Sequence, residues 1–417
     1  MKKAASFALG CKVNQYESEA IAELFAEKGY EIVGIDEEAD VYVINTCTVT
    51  NFGDKKSRQL IRKVKRQNEN AIVAVVGCYA QTAPKELMEI AGVNLVIGTK
   101  DRAQIVEMVE QYDRANGVEN HVSDIMKERV FEPLSIQKLA NRTRAYLKIQ
   151  DGCSQYCSYC IIPYARGPIR SREPQEVVAE VKRLAENGFK EVVLTGIHVA
   201  SYGKDRRDTS LLDILKQVHE VEGIERIRFS SIEPNVVTEE FAQTMAALPK
   251  VCDHFHLSLQ SGCDKTLKEM NRKYDTEKYR QAVATLRKYL PKVALTTDII
   301  VGFPGETEED FRESYAFAEE IGFAKIHVFP YSPKRGTPAA ARKDQLLNAV
   351  KSERSHTLIQ LSDRMAADFL ADAVGTDAEV LYERAVGDGI YEGHTTNYMK
   401  VHGRSEADLT NRIAKTH

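Results

Sequence analysis

Apolar and polar positions alternate along the first hundred residues in a way that is typical of a parallel α/β sheet. Short apolar runs predict buried strands, and the stretches between them have the spacing of amphipathic helices. The predicted strands are residues 4–9, 41–45, 72–76 and 95–97. The predicted helices are residues 14–28, 54–67, 85–91 and 102–111. This order predicts a doubly wound parallel sheet over residues 1–112.

A second and longer alternation begins at Thr143, after a stretch with little periodicity, 113–142, that we interpret as a linker. Its predicted strands are residues 145–149, 191–195, 226–230, 254–259, 294–300 and 325–329. Helices are predicted between them, for example at 174–186 and 276–289. Six strand–helix units are fewer than the eight of a complete barrel, so residues 143–370 predict a partial, open (β/α)6 barrel.

The pattern changes again after a polar helix near residues 346–370. Residues 378–383, 390–394 and 398–401 have the short alternation of antiparallel strands. Gly387-Asp388-Gly389 predicts a turn between the first two of them. We therefore expect residues 371–417 to form a small β-module.

Composition and charge narrow the class of protein. The 417 residues are 43% hydrophobic and 28% charged, which excludes disorder as the dominant state. No apolar run approaches the roughly 18 residues of a membrane span. A net charge of −4 argues against a protein that coats nucleic acid generally, but it permits a local basic site. Eight cysteines in so long a chain favour metal or redox chemistry, so we expect a cytoplasmic protein without membrane contact.

Cys153, Cys157 and Cys160 form a C-x3-C-x2-C run directly after the first predicted barrel strand. Thiolates at this spacing can reach separate irons of one cluster, and three ligands leave one iron of a four-iron cluster open. A zinc site would need a fourth Cys or His close by, and none is obvious in this loop. Together with the ends of the following strands, the run resembles the radical S-adenosylmethionine superfamily.

Cys11, Cys47 and Cys78 are far apart in sequence, yet each immediately follows a predicted strand. Parallel strands end at one edge of a sheet, so the three sulfurs can converge there. Glycine before Cys11 and Cys78 would let the backbone approach a bulky cofactor closely. The alternative is that all three are buried small hydrophobes.

The segments 10–18, 45–49 and 77–81 resemble the N-terminal domain of the methylthiotransferase family. This resemblance covers nearly the whole chain, up to the start of a C-terminal TRAM module. It implies a second 4Fe–4S cluster on Cys11, Cys47 and Cys78, again with one iron free. The sequence Gly-Cys-Lys-Val-Asn at 10–14 is most similar to the branch that acts on threonylcarbamoyladenosine in tRNA.

Polar or glycine-containing turns follow several predicted barrel strands. Taken singly, each could be a turn or a loop cap. The resemblance implies that they contact S-adenosylmethionine, whose ammonium, carboxylate, ribose and adenine parts need scattered donors and acceptors. The predicted contacts are Thr195, Gly196, Glu233, Gln260, Arg272 and Asp298, with Arg272 meeting the carboxylate.

Seven basic residues and no acid lie between Lys55 and Arg66. Such a run is usually a solvated helix face, but its position after Cys47 also fits contacts with RNA phosphates. The predicted RNA-binding residues are Lys55, Arg58, Arg62, Lys65 and, from a second basic group after the cysteine loop, Arg166. From Ala373 onward the C-terminal module departs from the TRAM pattern, with seven acids against five Lys or Arg and at least one strand fewer.

The resemblance implies a radical enzyme that methylthiolates C2 of N6-threonylcarbamoyladenosine next to the anticodon. It implies two 4Fe–4S clusters, S-adenosylmethionine, the anticodon stem-loop of tRNA as partner, and an electron donor such as flavodoxin or ferredoxin. We expect a monomer. The alternatives are methylthiolation of isopentenyladenosine in tRNA or of an aspartate in a ribosomal protein, and a non-catalytic iron–sulfur protein that binds RNA.

Overall fold

The computed structural model describes residues 1–136 and 143–417. The first part forms a six-stranded, wholly parallel sheet, the N-terminal sheet, in the order β2-β1-β3-β4-β5-β6. Its strands are β1 Lys3–Ala8, β2 Glu31–Ile32, β3 Val41–Thr46, β4 Ile72–Gly77, β5 Leu95–Val96 and β6 Glu119–Asn120. Its helices are α1 Lys12–Glu27, α2 Asn51–Gln67, α3 Cys78–Thr82, α4 Pro84–Met88 and α5 Ile105–Gln111.

The central strands β3 and β4 of the N-terminal sheet are apolar on both faces because helices cover both. In β3, Tyr42 and Ile44 pack on the side of α2, whereas Val41 and Val43 pack with Phe25 of α1. Successive side chains of a strand point to opposite faces, so a doubly covered strand is one continuous apolar run. The four strands predicted from such runs are confirmed.

The two edge strands of this sheet were not predicted, because each is two residues long and contains polar, exposed positions. Strand β6 lies inside the segment interpreted as a linker. The N-terminal sheet therefore continues past the predicted boundary at residue 112, and that part of the linker prediction is wrong. Residues 137–142 of the predicted linker lie outside the described residues.

The second part contains six parallel strands that follow one another around an incomplete barrel, here called the barrel. They are β7 Arg144–Asp151, β9 Glu191–Gly196, β10 Arg226–Phe229, β11 His254–His256, β12 Ala294–Val301 and β13 Lys325–Pro330. Single parallel bridges at Ile227–Val251 and Ile232–Leu257 join the sheet of β7, β9 and β10 to that of β11–β13. Among the described residues β13 pairs with β12 alone, so the barrel is open, as predicted. A two-residue strand, β8 Arg170–Ser171, pairs antiparallel with β7 and was not predicted.

Helices cover the outside of the barrel. They are α6 Ile162–Arg166, α7 Pro174–Glu186, α8 Leu211–His219, α9 Glu239–Ala247, α10 Asp264–Glu269, α11 Thr276–Tyr289, α12 Glu308–Ile321 and α13 Asn348–Ala371. Helix α1 is shared between the two parts of the chain. Its Tyr16 and Ala20 belong to the core of the barrel, and its Ile21 and Phe25 belong to the core of the N-terminal sheet. This shared helix fixes the N-terminal sheet against the barrel.

The last part is a four-stranded antiparallel sheet, the C-terminal sheet, in the order β16-β15-β14-β17. Its strands are β14 Ala378–Gly387, β15 Ile390–Thr395, β16 Lys400–Arg404 and β17 Arg412–Thr416. The last strand was not predicted, because its sequence alternates only weakly. Within the described residues the edge strands β16 and β17 do not pair with each other, so the sheet is open.

Arginines of the barrel hold the C-terminal sheet in place. The Arg226 guanidinium donates to the carbonyls of His394 and Glu379, each at 2.8 Å, and Arg228 donates to those of Thr395 and Thr396, each at 2.7 Å. The loop between β15 and β16 is thereby held against the barrel. Among the residues that the structure describes, no helix has both the length and the apolar character that crossing a membrane requires.

Candidate active site

One cavity of about 1370 Å³ lies where the N-terminal sheet, the barrel and the C-terminal sheet meet. Residues 10–13 at the start of α1 and the loop after β7 line it. The ends of β9 and β10, the inward face of β12, and residues 397–400 of the C-terminal sheet complete its wall. All three parts of the chain therefore contribute to a single space.

Cys153, Cys157 and Cys160, here the loop cysteines, all line this cavity. The amide of Cys160 donates to the carbonyl of Cys157 at 3.0 Å, which closes a tight turn between them. Arg272 Nη1 donates to Cys157 Sγ at 3.3 Å. Burial raises the pKa of Cys153 to about 11 and that of Cys160 to about 12. A metal that binds these two thiols must therefore displace their protons.

Cys11, Cys47 and Cys78, here the edge cysteines, lie together at the carboxyl ends of β1, β3 and β4. A Cβ at Gly10, where φ is +98°, would lie 2.7 Å from Cys47 Sγ, so only glycine fits beside that sulfur. Cys11 is exposed to the cavity, whereas Cys47 and Cys78 are buried behind it. Burial raises the pKa of Cys78 to about 12, and the Cys11 and Cys47 thiols also raise it. The predicted convergence of the three residues is confirmed.

The two sets of thiols fit iron–sulfur clusters better than single metal ions. Within residues 1–136 and 143–417, no three side chains of His, Cys, Asp or Glu are close enough to bind one ion. A four-iron cluster places each ligand on a different iron and so accepts thiolates that are further apart. The glycine beside Cys47 and the arginine beside Cys157 fit a bulky anionic group that is bound by thiolates.

Arg166, which was predicted to bind RNA, is completely buried and contacts the edge cysteines instead. Its Nε donates to Cys78 Sγ at 3.1 Å, and its Nη2 donates to Asn14 Oδ1 at 2.6 Å. It also forms ion pairs with Glu17 and Asp151. The RNA-binding prediction for Arg166 is therefore wrong, because no surface of the side chain is open to solvent.

Glu17 is the centre of the buried charges around Arg166. Burial alone would raise the pKa of its carboxyl, but Arg102, Arg166 and Lys148 hold that pKa well below its usual range. Lys148 Nζ lies 2.7 Å from Glu17 Oε1, and Arg102 Nη1 lies 2.5 Å from Glu17 Oε2. Glu17 belongs to α1 and Lys148 to β7, so the Glu17–Lys148 ion pair joins the N-terminal sheet to the barrel.

Five of the six residues predicted to contact S-adenosylmethionine line the cavity: Thr195, Gly196, Glu233, Arg272 and Asp298. Arg272 Nη2 lies 2.9 Å from Glu233 Oε1, and His198 Nε2 lies 3.2 Å from Glu233 Oε2. Gln260 is not among the lining residues. Its amide donates to the carbonyl of Asp298 and its carbonyl accepts from the amide of Ile300, which holds it beside β12.

The predicted RNA-binding residues of α2 differ in exposure. Lys55 and Arg62 are exposed. Arg58 donates to the Tyr79 hydroxyl at 2.8 Å, and Lys65 donates to the carbonyl of Ala71 at 3.2 Å. Lys55 and Arg62 are therefore the two whose positions fit a contact with phosphate directly.

Several residues that line the cavity were not predicted from the sequence. His254 and His256 are two positions apart on β11 and both face the cavity, as alternate residues of a strand do. Tyr398 stacks between His254 and His394, at 4.9 and 4.8 Å between ring centroids. Burial, and secondarily Arg228, lowers the pKa of His254 to about 3. The spacing of His254 and His256 in the sequence could have indicated that both face the cavity. Tyr398 could not have been found in this way, because the sequence does not show that the C-terminal sheet packs against the barrel.

The chain is similar to known proteins along its whole length. Residues 147–318 match the model of the radical SAM superfamily, and residues 3–98 match that of Uncharacterized protein family UPF0004. Threonylcarbamoyladenosine tRNA methylthiotransferase MtaB of Bacillus subtilis (strain 168) is 47% identical over 100% of this chain and 93% of that protein. tRNA-2-methylthio-N(6)-dimethylallyladenosine synthase of Thermoanaerobacter sp. (strain X514) is 38% identical over 90% of this chain and 80% of that protein.

The fold is similar to that of a solved radical S-adenosylmethionine methyltransferase, TsrM from Kitasatospora setae, whose structure contains cobalamin and a [4Fe-4S] cluster. The TM-score is 0.59 at 16% identity, over 82% of this chain and 74% of that chain. The full-length identity to the curated relatives shows the family. The chain belongs to the radical S-adenosylmethionine methylthiotransferases, enzymes that use two 4Fe–4S clusters and S-adenosylmethionine.

Proposed function

We propose that this enzyme methylthiolates C2 of N6-threonylcarbamoyladenosine in tRNA, next to the anticodon. The observation that carries the proposal is the shared cavity, which Cys11 and all three loop cysteines line. A substrate bound there is within reach of both sets of thiols. The 47% identity to a threonylcarbamoyladenosine tRNA methylthiotransferase over the whole chain supports this choice of substrate.

The loop cysteines would hold one cluster and the edge cysteines the other, each through three thiolates. When bound there, the clusters would supply one-electron reduction of S-adenosylmethionine and a place for the sulfur that is transferred. Arg272 donates to Cys157 and Arg166 donates to Cys78. Each N–H therefore stabilises negative charge on one ligand sulfur of its set.

The cavity residues would bind and orient S-adenosylmethionine. The Glu233 carboxylate suits its ammonium group and the Arg272 guanidinium suits its carboxylate, while Thr195 and Asp298 offer further polar contacts. Glu233 and Arg272 are 2.9 Å apart, so they can bind the two charged ends of one amino acid moiety side by side.

The RNA would lie along α2 and the C-terminal sheet. The exposed Lys55 and Arg62 are placed to contact phosphates, and Arg58 and Lys65 could add to them by leaving their present partners. The C-terminal sheet is TRAM-like in its position after the barrel. Residues 397–400 of this sheet line the cavity. An RNA bound on the sheet would therefore lie close enough to insert one of its bases into the cavity.

The test is turnover by the anaerobically reconstituted enzyme with dithionite or reduced flavodoxin, followed by mass spectrometry of the tRNA nucleosides. We expect methylthiolation of tRNA that carries threonylcarbamoyladenosine. Product from tRNA with isopentenyladenosine alone would overturn the proposed substrate. Absence of deoxyadenosine from the reduced enzyme would favour the non-catalytic RNA-binding protein.

A further inference from the structure

One lysine differs from every other basic residue that lines the cavity. The six lining lysines and arginines are Lys12, Arg144, Arg228, Arg272, Lys325 and Lys400. Five of them have a carboxylate within 4.0 Å, from Glu191 or Glu383, Glu233, Asp363 and Glu392. In the part of the chain that the structure describes, Lys12 Nζ has no carboxylate at that distance.

Lys12 is placed where a substrate group could reach it. It is exposed, and it lines the cavity directly after Cys11 at the start of α1. Its Nζ lies 5.8 Å from the centre of the Tyr146 ring, which forms part of the same wall. The ammonium group is therefore on the side of the cavity where the edge cysteines open into it.

Two other cations lie near Lys12. Arg144, Arg228 and the Glu191 carboxylate all act electrostatically on it. Arg144 shares Glu191 with Arg228 and also pairs with Glu383. Of these three cations, Arg144 and Arg228 use both carboxylates, and the Lys12 ammonium is the one left without a paired carboxylate. An anionic group of a ligand would supply the missing charge.

We propose that Lys12 binds the carboxylate of the threonylcarbamoyl group and thereby selects this substrate over a base with an apolar N6 substituent. This inference rests on the proposed function. An apolar group in the same position would cover the ammonium without pairing with it, which disfavours the wrong substrate. C2 and the carbon that bears N6 both adjoin N1 of the adenine ring, so fixing the N6 substituent also orients C2.

The experiment uses reconstituted holoenzyme and two synthetic anticodon stem-loops. One carries threonylcarbamoyladenosine, and the other carries the same base with the carboxylate replaced by a neutral carboxamide. The variant is Lys12→Met, and Lys28→Met is the matched control because it removes the same charge from an exposed position at the far end of α1. Lys12→Arg tests whether a different cation restores recognition.

We expect Lys12→Met to lower kcat/KM for the carboxylate substrate by about 10- to 100-fold, and for the carboxamide by less than about threefold. Lys12→Arg should recover most of the loss, and Lys28→Met should match wild type on both RNAs. An equal loss on both substrates, or no loss on either, would overturn the role of Lys12 while wild-type turnover still supports the proposed function. A third stem-loop with isopentenyladenosine separates the two proposals, because wild-type turnover of that RNA alone would overturn both.

Discussion

The two sets of cysteines are built in opposite ways. The loop cysteines lie within one segment of eight residues, 153–160, directly after β7, and all three face the cavity. The edge cysteines come from three strand ends spread over the first 78 residues, and only Cys11 faces the cavity. In each set one sulfur accepts a hydrogen bond from an arginine. Cys157 Sγ accepts from Arg272 at 3.3 Å, and Cys78 Sγ accepts from Arg166 at 3.1 Å.

The two arginines show what this difference means. Arg272 lines the cavity and pairs with Glu233, so it contacts both Cys157 Sγ and the open space of the cavity. Arg166 is fully enclosed and pairs with Glu17 and Asp151, so it contacts both Cys78 Sγ and the junction of the two parts. The loop site therefore depends on local sequence, whereas the edge site depends on how the N-terminal sheet docks to the barrel.

The largest effect should come from removing each set of thiols in turn. Changing all three loop cysteines to Ala should remove about half of the iron and abolish deoxyadenosine formation. Changing all three edge cysteines to Ala should also remove about half of the iron but leave deoxyadenosine formation largely intact. Iron analysis and chromatography of the cleavage products after anaerobic reconstitution measure both.

The same two variants also test whether the two sets of cysteines bind separate clusters. Full iron content in the edge variant would mean that these three cysteines bind no cluster. Loss of cofactor cleavage in the edge variant would mean that the two sites are not chemically separate. Cys252 is buried and was not predicted to bind a cluster, so Cys252→Ala is the matched control for thiol loss.

The next effect concerns the two arginines. Arg166→Met leaves Glu17 and Asp151 buried with one cation fewer, which should lower the free energy of unfolding by about 3–5 kcal/mol. Arg272→Met should cost less, because Glu233 keeps His198 and faces the cavity. Urea unfolding of the iron-free variants measures this difference. If both changes lower the free energy of unfolding equally, burial of Arg166 does not make it more important for stability than Arg272.

The smallest effect concerns α2, which follows the edge cysteine Cys47. Replacing the exposed Lys55 and Arg62 with Gln should weaken tRNA binding and lower the slope of log affinity against log salt by nearly one unit per lost contact. Iron content and cofactor cleavage should not change. Lys63→Gln is the control, because Lys63 pairs with Asp36. A slope that is unchanged in the double variant would make α2 a solvated face.

Sequence patterns predict best the structural elements whose residues are consecutive in the chain. Long apolar runs predicted the strands of the N-terminal sheet and of the barrel, because burial on both faces leaves no other pattern. Two-residue strands such as Glu31–Ile32 have too few positions to show a period, and they were missed. The convergence of Cys11, Cys47 and Cys78 was predictable because parallel topology alone places strand ends at one edge.

Contacts between distant parts were not predictable in this way. Arg166 has the sequence neighbourhood of a surface cation, and only docking of α1 against the barrel reveals it as a buried partner of Cys78. Gln260 follows a strand as the other predicted contacts do, but its backbone pairs with β12 instead of opening to the cavity. Lys12 is recognisable as unusual only once the partners of the other five cations are known.

The contact between Arg166 and Cys78 spans 88 positions of the chain, and it has a consequence for synthesis. A ribosome that has released only the N-terminal sheet has supplied all three edge cysteines but not the guanidinium that faces Cys78, nor the Lys148 that pairs with Glu17. The nascent sheet therefore holds Glu17 with two of its cations still missing. The ion pairs around Glu17 and the contact of Arg166 with Cys78 are therefore completed only after residue 166 has emerged from the ribosome.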